Sequence, residues 1–222
     1  MILALILAVP GFLYYLLEAK GKNRYRPLAI YGPKTVGNTF HKYHGKAIPD
    51  TIYHQISDFK LTDQNGKSVS LETYKGKIIV ANFFFSNCPT VCTEVNNNMD
   101  LLARSYYKNK MIHFVSITVD PEHDSPLALS KYAAHYKWPS QKWSFLTGDT
   151  ATIYNLARKG MLVDALKIGN SDFIYSNKLI LIDPVRRIRG YYDGTNSKDV
   201  IKLNDEIKVQ IAEELRKIKG PE

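Results

Sequence analysis

The sequence predicts an α/β fold in which helices cover both faces of a central sheet. Two continuous apolar runs, residues 77–85 and 111–119, are rich in β-branched and aromatic side chains, as is typical of fully buried strands. Apolar residues at helical spacing follow the first run, and a helix-start signal follows the second. With 222 residues, of which 45% are hydrophobic, the chain is long enough for one sizeable core but hardly for two full domains.

A β-hairpin is predicted at the start of the folded body, because apolar and polar residues alternate on both sides of the turn-forming dipeptide Asn65-Gly66. The predicted helices cover residues 91–106, 126–135 and 150–160, and a last helix begins after its capping residue Ser197. The remaining strands are predicted at residues 143–149, 178–183 and 187–194. This order of elements is that of a thioredoxin-like fold with an N-terminal β-hairpin extension.

The N-terminal part of the chain differs from this body in composition. Residues 1–19 are predicted to form a transmembrane or signal anchor, because residues 1–17 are apolar throughout and no Ala-x-Ala-like cleavage site follows. A cleaved signal peptide and a buried core helix are the alternatives. Residues 20–49 are rich in Gly, Pro, Lys and Tyr without a sustained period, and we interpret them as a basic stalk. The thioredoxin-like domain is predicted to cover residues 50–220.

The net charge of +9 lies mostly outside the predicted domain. Residues 18–49 carry seven Lys or Arg side chains and one acid, which leaves the remainder of the chain close to neutral. A nucleic-acid-binding domain carries its positive charge on the fold itself, so this distribution argues against nucleic acid as a partner. A basic segment directly after an apolar one is instead typical of a membrane-proximal stalk.

The candidate site is the five-residue stretch from Cys88 to Cys92, which holds both cysteines of the chain. It lies where a buried strand is predicted to end and a helix to begin, at the edge where ligands and chemistry gather in open α/β sheets. A helix N-terminus favours the thiolate, which is the reactive and metal-binding form of cysteine. Because the i, i+4 spacing places both sulfurs on one face of a turn, we expect the pair to form a bridge or to bind one metal ion. Cys88 is expected to be the more exposed of the two.

The number of cysteines limits the chemistry of this site. Two cysteines cannot complete a tetrahedral zinc site, whereas Cu(I) needs only two thiolates and at most one further ligand. The pair therefore predicts either Cu(I) binding or thiol–disulfide exchange. The alternatives without function are two small buried apolar residues and a static disulfide, although a loop this short leaves little chain entropy for a disulfide to remove.

Three segments of the chain carry a resemblance to a known family: FFFSNCPTVC, FVSITVDPEHDSP, and KLILID with the following RIRGYYDGT. Through them the chain resembles the Sco/SenC family over roughly residues 50–215. The resemblance implies a membrane-anchored thioredoxin-like protein that delivers copper to cytochrome c oxidase, with thiol redox roles in some members. It also implies that Cys88 and Cys92 are the copper-binding and redox-active, catalytic residues.

The resemblance further implies a third copper ligand, a histidine just before the strand predicted at residues 178–183. No histidine stands there in this sequence, and Tyr175, Ser176 or Asn177 takes its place. Elsewhere, His123 follows the second buried strand and is a candidate replacement ligand. His113 lies within that strand and is expected to be a core residue.

Two functions follow as hypotheses. The first is a metallochaperone that binds Cu(I) and transfers it, and the second is a thiol–disulfide oxidoreductase that keeps another protein's cysteines reduced. The missing histidine favours the second, and a thiol peroxidase is a weaker alternative. The expected partner is the copper-site subunit of cytochrome c oxidase or another thiol protein. Because such chemistry suits an oxidising compartment, we expect a single-pass protein of the cell membrane whose soluble domain faces the periplasm or outer side.

Overall fold

The computed structural model describes residues 9–15, 27–88, 90–169 and 173–219 of the chain. In chain order its strands are β1 (Lys34–Tyr43), β2 (Lys46–Tyr53), β3 (Leu61–Asp63), β4 (Ser68–Val69), β5 (Ile78–Phe84), β6 (Ile112–Thr118), β7 (Trp143–Thr147), β8 (Ala165–Lys167), β9 (Phe173–Tyr175), β10 (Lys178–Ile182) and β11 (Ile188–Asp193). The helices of the body are α1 (Val91–Ser105), α2 (Pro126–Ala134), α3 (Thr150–Asn155) and α4 (Ser197–Lys219). A 3-10 turn covers Leu71–Tyr74, a π-helical turn covers Leu156–Gly160, and residues 9–15 are helical.

Seven strands form one mixed sheet in the order β11-β10-β5-β6-β7-β3-β4. The central strands β5, β6 and β7 run parallel, while β10 pairs antiparallel with β5, and β3 pairs antiparallel with β7. Parallel neighbours need crossover connections, which α1 and α2 supply. Every residue of the three central strands is buried, which explains why their sequences are largely apolar on both faces. The predicted α/β fold is therefore confirmed.

The predicted hairpin at Asn65-Gly66 is confirmed as β3 and β4, which extend the sheet beyond β7. Gly66 has a φ angle of +77°, a left-handed conformation that glycine adopts without steric cost. The carboxylate of Asp63 accepts hydrogen bonds from the backbone N–H groups of Asn65 and Lys67, which fixes the turn.

Alternate side chains of β5 point into two apolar cores, one on each face of the sheet. One core contains Ile79, Ala81 and Phe83, and the other contains Ile78, Val80 and Phe84. Helices α1 and α4 cover the second core with buried side chains such as Met99 and Ile207. The helix that carries Cys92 is thus held to the sheet by apolar burial along one face.

The structure contains two hairpins that the sequence patterns do not predict. Strands β1 and β2 pair antiparallel in and just beyond the predicted stalk, and most of their side chains are exposed. Strands β8 and β9 pair antiparallel between the π-helical turn and β10. Apolar residues recur at helical spacing along α4, where Leu203 and Ile207 are buried but Leu215 and Ile218 are exposed.

Most of the predicted anchor and the first part of the predicted stalk lie outside the described residues. Within the portion that the structure does describe, no helix is both long enough and apolar enough to cross a membrane. The transmembrane anchor therefore stays a prediction from the sequence.

Candidate functional site

Both cysteines lie just after the carboxyl end of the central strand β5, as predicted. Cys88 lies in the loop before α1, and Cys92 lies in the first turn of that helix. Their sulfur atoms form a disulfide, with 5.8 Å between the two Cα atoms. Cys88 is half-buried whereas Cys92 is only 1% exposed, which confirms the predicted difference in exposure. Pro89, between them, lies outside the described residues.

The start of α1 supplies a hydrogen-bond donor to the site. The backbone N–H of Cys92 donates to the Sγ atom of Cys88 over 3.2 Å. The first N–H groups of a helix have no carbonyl partner within the helix, so the sulfur satisfies one of them. In the dithiol form, this N–H and the positive end of the helix dipole favour a thiolate at Cys88.

A buried carboxylate holds the loop before Cys88 against the neighbouring strand. Asp124 is 1% exposed and accepts hydrogen bonds from the backbone N–H of Ser86 at 3.0 Å and from the hydroxyl groups of Ser86 and Thr118. Because Thr118 ends β6, these bonds fix the cysteine loop to the carboxyl end of that strand. The sequence pattern identifies only a helix start after the second buried strand, and the structure has Ser125 there as the N-cap of α2.

A chain of buried polar side chains fixes α1 to the sheet. Asn82 on β5 donates to the side-chain oxygen of Asn96 on α1 at 2.9 Å and accepts from the hydroxyl of Ser116 at 2.6 Å. The amide of Asn96 donates to the hydroxyl of Tyr132, and the indole of Trp143 donates to Ser116, both at 2.9 Å. A buried polar network is stable only when its members find partners, so it selects one position of α1 and of the buried cysteine on it.

One tyrosine contacts both sulfur atoms. The hydroxyl of Tyr175 lies 3.1 Å from the Sγ atom of Cys88 and 3.0 Å from that of Cys92. It reaches them because β9 ends beside the start of β10, which lies next to the carboxyl end of β5. Burial raises the pKa of Tyr175, and the nearby hydroxyl of Tyr132 raises it further, so the phenol keeps its proton at neutral pH.

The other two candidates for the histidine position, Ser176 and Asn177, make hydrogen bonds away from the cysteines. The hydroxyl of Ser176 accepts the backbone N–H two residues further along the chain, and the amide of Asn177 donates to the carboxylate of Asp193 at 2.9 Å. The ring of Phe85 packs edge-on against Tyr175 with 5.7 Å between centroids. Tyr175 is therefore the one of the three candidates that contacts the cysteines.

An open cleft of about 820 Å³ lies over Cys88. Its lining includes Phe85, Ser86, Asn87, Cys88, Thr90, Val91, Asp120, His123, Phe173 and Tyr175. The imidazole of His123 is 64% exposed, and its Nδ1 atom lies 2.8 Å from Oδ2 of Asp120. The loops that follow β5 and β6 therefore meet at one cleft, at the carboxyl edge of the sheet where such folds place their chemistry.

Within the described residues, no group of three or more His, Cys, Asp or Glu side chains is placed to hold one metal ion. His123 lines the same cleft as Cys88, but its ring bonds to Asp120. His113 is buried in β6, where its Nε2 atom bonds to the hydroxyl of Ser144 and burial lowers its pKa to about 4. This confirms that His113 is a core residue. Only in the reduced form would the two sulfurs be available as ligands for a soft ion, with a neutral phenol beside them.

Comparison with known proteins identifies the family. The family model of SCO1/SenC matches residues 50–210 of the chain. The chain belongs to the SCO1/SenC family. A curated relative, the SCO1 protein homolog of Bacillus subtilis, is 31% identical over 167 residues, which cover 74% of this chain and 86% of that protein.

Solved structures of other Sco proteins share the fold of this SCO1/SenC protein. BsSco, described as a member of the Sco family of cytochrome c oxidase assembly proteins and as having a disulfide switch, is 30% identical with a TM-score of 0.63, over 70% of this chain and 92% of its own. Bradyrhizobium japonicum ScoI with copper bound is 25% identical with a TM-score of 0.60, over 70% of this chain and 99% of its own. The predicted family and its thioredoxin-like fold are confirmed.

The geometry of this SCO1/SenC site supports two oxidation states. In the disulfide state the two sulfurs are bonded to each other, and in the dithiol state they become a nucleophile or a pair of ligands for a soft cation. Sequence patterns identify the cysteines but not Asp124, Asn82 or Asn96, which position them through contacts between separate elements.

Proposed function

We propose that this SCO1/SenC protein exchanges thiols and disulfides with another protein during assembly of the copper centre of cytochrome c oxidase. The observation that carries the proposal is the asymmetric sulfur pair at an open cleft, with Cys88 half-exposed and Cys92 buried. In such a pair, one sulfur meets the partner and the other closes the internal bond. The description of BsSco as a cytochrome c oxidase assembly protein with a disulfide switch supports this setting.

The exchange proceeds in two displacements when the protein acts as a reductant. The thiolate of Cys88 attacks one sulfur of a disulfide in the partner, and the electron pair of the broken bond leaves on the partner's second sulfur. The thiolate of Cys92 then attacks the Sγ atom of Cys88 and releases the partner's first sulfur as a thiolate. The partner gains two electrons, and the protein acquires the Cys88–Cys92 disulfide. A further dithiol, as the reductant, restores the pair.

Local geometry supports exchange as the main activity. The N–H of Cys92 and the start of α1 favour charge on the sulfur of Cys88, the atom that lines the cleft. A phenol, which is a poor ligand for Cu(I), stands beside the sulfurs in place of the imidazole that the family resemblance implies. Fixed by Asp124 and the buried amides, the two sulfurs stay within bonding reach of each other.

A second function, delivery of Cu(I) held by the two thiolates, is favoured by a specific observation. Bradyrhizobium japonicum ScoI, which aligns with 70% of this chain, has copper bound in its solved structure. In this chain Cys88 and Cys92 would supply the sulfur ligands, and only in their reduced form, because a disulfide has no thiolate to offer. Copper would then be cargo passed to the partner, and oxidation of the pair would stop its binding.

The proposed setting is the outer face of the cell membrane. The apolar residues 1–17 and the basic stretch that follows them support a single-pass anchor before the folded domain. An oxidising compartment is where a partner's cysteines form disulfides and need a reductant.

The experiment compares the full chain in its reduced form with the variants Cys88→Ser and, as a matched control on the exposed side of the same helix turn, Thr93→Ser. We expect the wild type and Thr93→Ser to reduce a small peptide disulfide, about one bond per protein as the two-electron balance requires, and Cys88→Ser to reduce none. A parallel titration with Cu(I) against a chromophoric chelator measures metal affinity. Tight binding of Cu(I) without reduction of the peptide would contradict the main proposal and support the second.

A further inference from the structure

We infer that Tyr175 is a further catalytic residue, whose hydroxyl donates a hydrogen bond to sulfur in the reduced pair and so makes the Cys88–Cys92 disulfide easier to reduce. This inference rests on the proposed thiol–disulfide exchange and assigns a role to the phenol that contacts both sulfurs. The hydroxyl lies 3.1 Å and 3.0 Å from the two Sγ atoms, within hydrogen-bond reach of both.

Packing around β9 fixes the phenol in this position. Successive side chains of β9 point to opposite sides, so that Phe173 and Tyr175 face the cleft while Ile174 between them is exposed. The ring of Phe85 contacts both cleft-facing rings, with centroid distances of 5.1 Å to Phe173 and 5.7 Å to Tyr175. The β8–β9 hairpin is also joined to the loop after β6, because the ammonium of Lys167 lies 2.6 Å from the carboxylate of Glu122. The hydroxyl is therefore held in place before any partner arrives.

The chemistry of the two oxidation states gives the hydroxyl a preference between them. A protonated phenol has one O–H to donate, and sulfur in a disulfide is a weak acceptor. A thiolate carries a full negative charge, and hydrogen bonds to charged groups are roughly twice as strong as those between neutral groups. The same O–H therefore stabilises the dithiol state, with its thiolate, more than the disulfide state. Its position between the sulfurs lets it serve whichever of Cys88 and Cys92 carries the charge.

The same contact assists a definite step of the exchange. When a dithiol reductant attacks the Sγ atom of Cys88, which lines the cleft, the bond to Cys92 breaks and its electron pair leaves on the buried Sγ atom of Cys92. That sulfur has little contact with water, so a fixed O–H replaces the solvent that would otherwise stabilise the developing charge. Removal of the hydroxyl should slow this step and shift its equilibrium toward the disulfide.

The variant Tyr175→Phe tests the inference, since it keeps the ring that packs on Phe85 and removes only the hydroxyl. We expect the equilibrium constant for reduction by a reference dithiol to fall about tenfold, which is about 30 mV lower in the reduction potential of a two-electron couple. The rate at which dithiothreitol reduces the disulfide should fall as well. The matched control is Tyr191→Phe, which removes a half-buried hydroxyl that donates to the carbonyl of Met161, away from the cysteines.

The outcomes separate the inference from the proposal beneath it. A lower potential and a slower reduction in Tyr175→Phe, with wild-type values in Tyr191→Phe, would support the inference. Wild-type potential and rate in Tyr175→Phe, in a protein that still reduces the peptide disulfide, would overturn the inference alone. A wild-type protein that cannot exchange with the peptide disulfide at all would overturn the proposed function.

Discussion

Replacing Asp124 with alanine should destabilise the protein far more than a surface substitution does. The buried carboxylate accepts three hydrogen bonds, from the backbone N–H and hydroxyl of Ser86 and from the hydroxyl of Thr118. A hydrogen bond to a charged group contributes about 1.5–3 kcal/mol, and a buried donor left without a partner costs about 1–3 kcal/mol. Since the three bonds share one acceptor group and are not additive, we expect the free energy of unfolding to fall by about 3–5 kcal/mol.

Urea unfolding of the oxidised protein measures this loss as a lower midpoint at an unchanged slope, and Tm should fall by roughly 6–20 °C. The matched control is Asp149→Ala, because Asp149 is exposed and caps α3 by accepting the N–H of Thr152 at 2.8 Å. Loss of such an N-cap costs about 1 kcal/mol. If Asp124→Ala lost no more stability than Asp149→Ala, the account of how the cysteine loop is held would be refuted.

Three further predictions concern buried and cleft-lining groups. Burial lowers the pKa of His113 to about 4 from the ordinary 6.5. Between these pH values the imidazole binds a proton in the unfolded chain but stays neutral in the folded protein. The free energy of unfolding should therefore fall by about 3 kcal/mol as the pH falls from 6.5 to 4. Urea unfolding across this range should show a flatter profile for His113→Gln, and identical profiles would contradict the assignment. Asn96→Ala leaves the buried amide of Asn82 without its acceptor and should lower the free energy of unfolding by about 2–3 kcal/mol, whereas a loss within error in chemical unfolding would argue against the polar network. Tyr175→His places an imidazole beside the sulfurs and should raise the affinity for Cu(I) by roughly tenfold in a chelator competition, equivalent to about 1.4 kcal/mol. His123→Ala should leave the Cu(I) affinity unchanged. An affinity that falls in His123→Ala and does not rise in Tyr175→His would point to His123 as the ligand.

The central strands were predictable because their burial is nearly complete. A strand between two cores needs apolar side chains on both faces, so β5 and β6 appear in the sequence as continuous apolar runs whose ends match the structure within a residue or two. The hairpin at Asn65-Gly66 was predictable for a different reason, since its turn requires a residue that tolerates positive φ.

The two hairpins that the sequence patterns do not predict, β1–β2 and β8–β9, have no such pattern in their sequences. Strands β1 and β2 are exposed on both faces, the register shifts between Val36 and Phe40, and Pro49 lies within β2. No alternation between buried and exposed residues is imposed on such a ribbon. Strands β8 and β9 have three residues each, which is too short for a periodic pattern to emerge.

The same limits divide the site into predictable and unpredictable parts. The cysteines were predictable because their spacing and their place after a buried strand are local features of the sequence. The sequence leaves three candidates, Tyr175, Ser176 and Asn177, for the residue that replaces the family's histidine. Which of them contacts the cysteines depends on the direction in which the side chains of β9 point. The role of Asp124 depends on a contact with Ser86, 38 residues earlier in the chain. A local sequence pattern cannot predict a contact between residues this far apart.

The most direct test of the proposed function asks which sulfur meets the partner. Reduced Cys92→Ser and Cys88→Ser variants are mixed with a small peptide disulfide, and mixed disulfides are detected by mass spectrometry after acid quenching. The exposure of Cys88 and the burial of Cys92 predict that Cys92→Ser accumulates a mixed disulfide at Cys88, while Cys88→Ser accumulates almost none. Equal trapping in both variants, or no trapping in either, would contradict exchange in which the half-buried Cys88 attacks and the buried Cys92 resolves.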